Sequence, residues 1–424
     1  MGTHMTKPQK MISYTLNFYV TSILMYMITQ NVVANIMASY PEVADYTVKS
    51  LTTLPTLFGL LATFAMGPIA MKYDKVKLLV VVMCSMGLFS LIFFANGVLH
   101  GPFEIYYLGV VFGGFAQGSF APLMNIIIGE TFEEEDRAGR IAAYNVTNNV
   151  GAFFVLFLSG RIAATGGGEN WPYAYLLGLY CFVTTAVFYF LIKKAGYRDD
   201  KVARAERAAK AAAAGSETKK DGVKFSDVPK KVIAIVAAIG LLHCVFYIGL
   251  NAYYTNVSTW IHECGFGNAV QAGNATSLVR FSLIILTFMY PFWMKLLKSW
   301  MIPCGYLLGA IAMVCMLTIP SIWGVYAAAF FVAFGTSIAH STIYSKALNY
   351  VPETFAPISS TVVWGLANSG AFFATYVLAA ISGILGGGMR TQLMAGSIIL
   401  LACMVVAIII FVVFNPDKKK QQAA

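Results

Sequence analysis

Charged residues are scarce in this chain. Only 11% of its 424 residues are Asp, Glu, Lys or Arg, and 58% are hydrophobic, whereas ordinary soluble domains contain about 25% charged residues. A soluble fold could not bury this much apolar surface, and long apolar runs recur from one end of the chain to the other. Each run is long enough to cross a bilayer as a helix. The composition therefore excludes a soluble protein and indicates an all-α membrane protein.

The sequence also lacks clusters of catalytic or metal-binding residues. The seven Cys are scattered without a C-x-x-C pair, and most lie in apolar runs, where a free Cys behaves as a small hydrophobic residue. No nucleophile–base pair, metal cluster or phosphate-binding loop is visible. The basic residues lack the interleaved aromatic residues of a nucleic-acid platform. We therefore expect no enzyme activity, no cofactor, no metal and no nucleic-acid partner.

The apolar runs predict twelve transmembrane helices. Their approximate ranges are 11–37, 48–71, 76–97, 104–130, 140–163, 172–193, 231–261, 273–296, 299–318, 321–350, 355–384 and 391–414. These ranges imply five parts: a tag scar ("MGTHM") with the N-terminus at 1–10, a six-helix bundle at 11–193, a linker at 194–230, a second bundle at 231–414 and a tail at 415–424. The linker is rich in Lys, Arg and Ala, and it is interpreted as a charged tether or as a helix lying on the membrane surface.

The loop charges predict the orientation. Loops that follow even-numbered helices carry Lys and Arg, and the loops that follow odd-numbered helices carry mostly acids. Because cytoplasmic loops are enriched in Lys and Arg, both termini and the linker are expected in the cytoplasm. We also expect the protein to lie in the cell's inner (cytoplasmic) membrane. The net charge of +10 arises largely from this asymmetry.

The two halves of the sequence repeat each other. "NVGAFF" at 149–154 returns as "NSGAFF" at 368–373, on the fifth helix of each half. The preceding helices also match, because both start with Phe-Gly and end in Glu-Thr-Phe (112–132 and 334–355). Six helices, a linker and six related helices indicate a duplication with parallel halves. We expect the repeated Gly and Phe residues to permit close helix packing between the bundles.

This arrangement resembles the major facilitator superfamily along the whole chain. The loop after the second helix, "GPIAMKYDKVK", is similar to the superfamily's G-x-x-x-D-R-x-G-R-[RK] motif at Gly67, Lys72 and Lys75, but Met71 replaces the acid and Asp74 a glycine. The resemblance implies two pseudo-symmetric bundles that rock about a central site, with alternating access from the two sides. It further implies that helices 1, 4, 7 and 10 line the cavity, and it leads us to expect a monomer.

Arg280, in the eighth predicted helix, is the sharpest candidate for binding a solute. A guanidinium deep in a membrane needs an anion, and no Asp or Glu stands at a matching depth in any predicted helix. Its partner is then either a substrate carboxylate or the surrounding carbonyl and Tyr groups of the protein. Oxalate–formate exchangers and monocarboxylate transporters are similar in placing an arginine in this helix. The other conserved charges of those families have no counterpart here.

Polar and aromatic residues on other helices complete the candidate substrate site. The seventh helix carries four of them on one face, and they could line a cavity or fill the core. Each of the remaining candidates could equally hydrogen-bond helix to helix. The full set is Arg280, His243, Tyr247, Asn251, Tyr254, Asn31, Gln117, His340, Tyr344, Trp364 and Asn368. His243 could also relay protons.

The predicted function is transport of an organic monoanion, such as an amphipathic carboxylate, with Arg280 as its anchor. Protons or a counter-anion are possible coupling partners. The alternative is a multidrug or neutral-solute transporter of the same fold, in which Arg280 is structural. A charged group at the cytoplasmic ends of the helices is predicted to act in gating: Glu130, Arg137, Arg140 and Asp74.

Overall fold

The computed structural model describes residues 5–199, 230–349 and 356–413, and the described segments form helices joined by turns. We number the twelve spans α1 to α12. They are α1 (Lys7–Val20, Met25–Met27 and Ile28–Ser39), α2 (Asp45–Ser50 and Leu54–Lys72), α3 (Lys75–Val98), α4 (Ile105–Thr131), α5 (Glu134–Ala163), α6 (Trp171–Gly178 and Leu179–Lys194), α7 (Lys230–Glu263), α8 (Ala269–Phe288), α9 (Met301–Thr318), α10 (Ile322–Asn349), α11 (Ala356–Ile384) and α12 (Met389–Ala407 and Ile408–Val413).

Within the described residues, twelve helices are long and apolar enough to cross a membrane, which confirms the predicted all-α membrane fold. Residues of α1 to α6, with Ala269 at the start of α8, form one hydrophobic core, and residues of α7 to α12 form another. Two ends of the bundle are named here by their loop charges. The basic end holds Lys72, Lys77 and Arg137, and the acidic end holds Glu104 and Glu169. Most of the predicted linker and the predicted tail lie outside the described residues.

The prediction of one continuous first helix was wrong. α1 is interrupted between Val20 and Met25, and Leu24 has a non-helical backbone with φ −93° and ψ 24°. The hydroxyls of Thr21 and Ser22 donate to the carbonyl oxygens of Phe18 and Tyr19. Such side-chain bonds compete with the helical backbone pattern. The interruption lies near the middle of the first span, Lys7–Ser39, and an irregular backbone is tolerated inside a membrane when protein surrounds it.

The eighth helix also ends earlier than predicted. The apolar pattern indicates a helix over 273–296, but α8 stops at Phe288 and a separate short helix, Tyr290–Leu297, follows. Pro291 is in the first turn of that short helix. A proline disfavours helical backbone at the residue before it and removes one N–H donor. Hydropathy continues across the break, so it cannot locate this boundary.

The repeated hexapeptides bring helices together inside each half. A Cβ atom on Gly151 would overlap the backbone of Thr21, so α5 lies directly against the interrupted part of α1. In the second half a Cβ on Gly370 would overlap the backbone of Cys244, which sets α11 against α7. Both helices also contact the other half, but these glycines do not face it. The expectation that they pack bundle against bundle is therefore corrected to packing within each bundle.

Candidate functional site

The two halves meet closely at the acidic end. α5 packs on α8 where the Cα atoms of Gly160 and Gly273 permit close approach, since a Cβ on Gly160 would overlap the backbone of Ala269. Between described residues, five hydrogen-bonded pairs link the halves on this side, and we call them the acidic-end seam. They are Lys49–Asn256, Thr53–Thr375, Arg161–Asn274, Asn31–Ser258 and Asn31–Thr276.

Asn31 lies at the centre of this seam. Its side-chain amide donates to the carbonyl of Leu156 and the hydroxyl of Ser159, both at 2.8 Å. Its side-chain oxygen accepts from Thr276 at 2.6 Å, and the residue is fully buried. All the polar atoms of the Asn31 side chain are thus engaged in joining α1, α5 and α8. Asn31 was predicted to bind the substrate, but its side chain lies in the contact that holds the two halves together. In this conformation it has no polar group left to bind a solute.

Arg280 lies between the halves, on the basic side of the seam. Its Nη2 donates to the sulfur of Met27 at 3.1 Å, just where the interruption in α1 ends. A thioether is a weak acceptor. The Nε of Arg280 is buried and has no hydrogen-bond partner among the described residues. Neither of the two ion pairs between described residues involves Arg280.

Three tyrosines share the surroundings of Arg280. Its positive charge acts electrostatically on the phenol groups of Tyr26 from α1 and of Tyr247 and Tyr254 from α7. Tyr26 is not in the predicted set of site residues, although it is one of the polar residues that the first predicted helix offers to the cavity. The guanidinium therefore acts on phenols of both halves, which offer apolar rings with polar tips.

Two histidines form a hydrogen-bonded pair within the second half. The Nε2 of His243 on α7 lies 3.0 Å from the Nδ1 of His340 on α10. The hydroxyl of Tyr247 lies 3.0 Å from the same Nδ1 atom. A hydrogen bond between two ring nitrogens needs a proton on one of them, so one histidine is the donor and the other the acceptor. Tyr247 thus contacts the histidine pair through its hydroxyl, and the positive charge of Arg280 acts on the same group.

The remaining predicted site residues are divided between this region and its margins. Trp364 on α11 places its ring edge-to-face on His340, with centroids 5.6 Å apart, and is partly exposed. The amides of Asn251 and Asn368 donate to backbone carbonyls one turn earlier in their own helices. The Oε1 of Gln117 is buried without a hydrogen-bond partner among the described residues. The side chain of Tyr344, on α10, lies outside the described part.

The predicted gating residues form contacts within the first half. Glu130 pairs with Lys75 at 3.0 Å and accepts from the Tyr197 hydroxyl at 2.6 Å. Lys75 also pairs with Asp199 at 2.9 Å, so the cluster joins α3, α4 and the segment after α6. Tyr197 and Asp199 were missed, because the charged segment after α6 was interpreted as a solvated linker.

Asp74 and the two arginines have local roles in this conformation. Asp74 caps α3 by accepting from the backbone N–H groups of Val76 and Lys77. Arg137 donates to the carbonyl of Phe132, and Arg140 lies 3.5 Å from the hydroxyl of Ser13. These contacts stay within the first half, α1 to α6, and the segment that follows it. Gating by the four residues stays a prediction.

The sequence matches a known family over most of its length. A family model described as the Major Facilitator Superfamily matches residues 11–356. The chain belongs to the major facilitator superfamily. The fold class, the transporter family and the expectation that the protein is no enzyme are thereby confirmed. No curated protein matches the sequence.

Solved structures of the superfamily show the same fold at low identity. The POT family transporter PepTSo superimposes with a TM-score of 0.73 at 13% identity, covering 97% of this chain and 99% of that chain. A peptide transporter POT variant gives 0.74 at 14%, covering 98% and 96%. A D-xylose–proton symporter gives 0.69 at 13%, covering 93% and 96%. At such identities the likeness establishes the superfamily fold alone.

Proposed function

We propose that this superfamily member transports an organic monoanion, with Arg280 as the anchor for its carboxylate. The observation that carries the proposal is the buried Nε of Arg280, which has no hydrogen-bond partner among the described residues. Membrane-embedded cations are costly and mark sites of function. The planar guanidinium presents Nε and a terminal nitrogen side by side, which matches the two oxygens of a carboxylate. One cation in the site suits one negative charge.

The body of the solute would lie against aromatic groups. The charge of Arg280 acts on Tyr26, Tyr247 and Tyr254, and the rings of Phe153 and Phe281 form a contact between the two halves, with centroids 6.0 Å apart. Sites of this type bind organic ligands by apolar contact and a few convergent polar groups. We therefore propose an amphipathic carboxylate with a ring or alkyl body.

The transport cycle would open and close the acidic-end seam. With the basic end placed in the cytoplasm by its Lys and Arg residues, the seam closes the outward side. Between described residues, every hydrogen bond that links the halves belongs to the seam or to Arg280 and Met27. This conformation is the one expected for release or binding at the cytoplasmic side. The seam must break for the site to face outward.

A neutral-solute or multidrug transporter is the second candidate. It is favoured only if the hydrogen bond to the Met27 sulfur is a sufficient partner for Arg280 and the guanidinium stabilises the fold. The same polar side chains could then bind hydroxyl or amide groups. Matched ligands that differ only in charge distinguish the two functions.

We expect benzoate to raise the melting temperature of the purified protein, and benzamide and benzylammonium to leave it unchanged. The three share a ring and differ in charge, so a selective shift reports recognition of the carboxylate. Octanoate and octylammonium repeat the comparison with an alkyl body. Nanoscale fluorimetry in detergent at constant ionic strength provides the measurement. Stabilisation by the amines or the amide alone would support the second candidate.

The histidine pair provides a further prediction, on coupling. We expect His340→Gln to abolish accumulation of the anion driven by a proton gradient, because Gln keeps a polar group near His243 but cannot take up a proton. Counterflow exchange of the same anion needs no net proton movement and should stay within about twofold of the wild type. Both rates are measured in proteoliposomes. Undiminished gradient-driven accumulation by the variant would exclude the pair as the proton carrier.

A further inference from the structure

Two cations are buried or partly buried in the acidic-end seam, and neither was predicted as a functional residue. Lys49 on α2 is 3% exposed, and its Nζ donates to the Oδ1 of Asn256 on α7 at 2.9 Å. Arg161 on α5 donates through Nη1 to the Oδ1 of Asn274 on α8 at 3.0 Å. Both cations belong to the first half, and both acceptors are asparagine oxygens of the second half.

Hydrogen bonds to asparagine oxygens do not neutralise the charges of Lys49 and Arg161. No carboxylate lies within ion-pair distance of Lys49 or Arg161 among the described residues. Asp45 and Glu263 act on Lys49 only from a greater distance. Arg161 has as further neighbours the carbonyl of Phe157 at 3.0 Å and the Phe157 ring beneath its guanidinium. A buried cation is stabilised far better by an anion than by an amide oxygen.

The asparagines are held in place as acceptors. The amide nitrogen of Asn256 donates to the carbonyl of Ala252 and to the hydroxyl of Thr255, which turns its oxygen towards Lys49. An amide oxygen and a carboxylate oxygen accept hydrogen bonds in the same way. Each asparagine therefore occupies the position in which a carboxylate would bind the cation more strongly.

We propose that Lys49 and Arg161 form an anion-capture site that exists only when the acidic end opens. Opening separates the halves, so each cation loses its asparagine and faces water at the mouth of the cavity. A carboxylate arriving from that side binds there before it reaches Arg280, and the seam re-forms on the asparagines once the anion has moved inward. The inference rests on the proposed function, since it takes the same organic monoanion as its ligand.

The test compares uptake of labelled benzoate from the two ends. The Lys49→Gln/Arg161→Gln double variant should raise the KM from the acidic end by about tenfold and remove its dependence on salt, because cationic funnels raise association rates by about 10-fold or more. Intact cells expose the acidic end and everted vesicles the basic end. From the basic end the KM should keep its dependence on salt, because both substituted cations lie at the acidic end. Arg390→Gln, which removes an exposed cation at the same end, is the matched control.

A second double variant keeps both cations, so its result does not depend on whether the protein folds without them. Asn256→Asp/Asn274→Asp places carboxylates opposite Lys49 and Arg161, which should stabilise the closed seam and again raise the KM from the acidic end. If wild-type protein transports benzoate and neither double variant alters that KM, the capture site is refuted and the proposed function stands. If wild-type protein transports no carboxylate from either end, both proposals fall together.

Discussion

Replacing Arg280 by alanine should abolish anion transport while leaving the protein folded. Truncating one partner of a desolvated, hydrogen-bonded charge pair costs about 3 kcal/mol, or more than about 100-fold in affinity. Benzoate should then neither stabilise the variant nor be taken up in proteoliposomes. The unliganded protein should melt at the same or a higher temperature, because a buried cation without a carboxylate partner is lost.

Arg280→Lys is the matched variant for this experiment. Lysine keeps the positive charge but lacks the planar fork of donors, so we expect weak transport between the wild-type and alanine levels. A structural role for Arg280 predicts the reverse pattern. In that case the alanine variant would melt at a lower temperature and still transport benzoate, and the alternative function would be favoured.

Alanine at Gly370 should destabilise the protein strongly, and alanine at Gly151 should do the same in the other half. In each case the new Cβ would overlap backbone atoms, those of Cys244 on α7 or of Thr21 on α1, so the helices must move apart. Overpacking against a rigid neighbour costs about 3 kcal/mol. The measurement is the fraction of protein that stays monodisperse in detergent after heating, read for each variant by size-exclusion chromatography.

Each of these helices contains its own control glycine. A Cβ on Gly383 of α11 or on Gly139 of α5 would meet nothing within 4 Å. Alanine at these positions should be neutral or stabilising, since alanine is favoured over glycine in helices by about 1 kcal/mol. Equal destabilisation at the packed and the open positions would contradict the assignment of Gly151 and Gly370 to helix contacts.

The sequence predicts the architecture well because hydropathy is a local property. A run of apolar residues is long enough to span a bilayer whatever surrounds it, so the twelve spans follow from the sequence alone. Two interruptions were missed for the same reason: the segment between Val20 and Met25 in α1, and the break at Met289. Neither changes the hydropathy, because each arises from hydrogen bonds or from proline geometry.

The candidate site is predictable only in part. Arg280 could be identified because a charge in an apolar span is rare and costly. The pairing of His243 with His340 could not, since it depends on how α7 and α10 are rotated about their axes. Lys49 follows a loop in the sequence and was not considered, yet it is buried in the structure.

The membrane class, the duplication, the superfamily resemblance and the position of one embedded cation follow from the order of the residues alone. The polar groups that face one another are known only from the packed helices: Asn31 lies in the seam, Arg280 lies beside Met27, and asparagine oxygens accept from Lys49 and Arg161. This is because the side chains that meet between two helices depend on how each helix is rotated about its axis and shifted along it. Close backbone contacts at glycines set both, and these contacts join residues far apart in the chain.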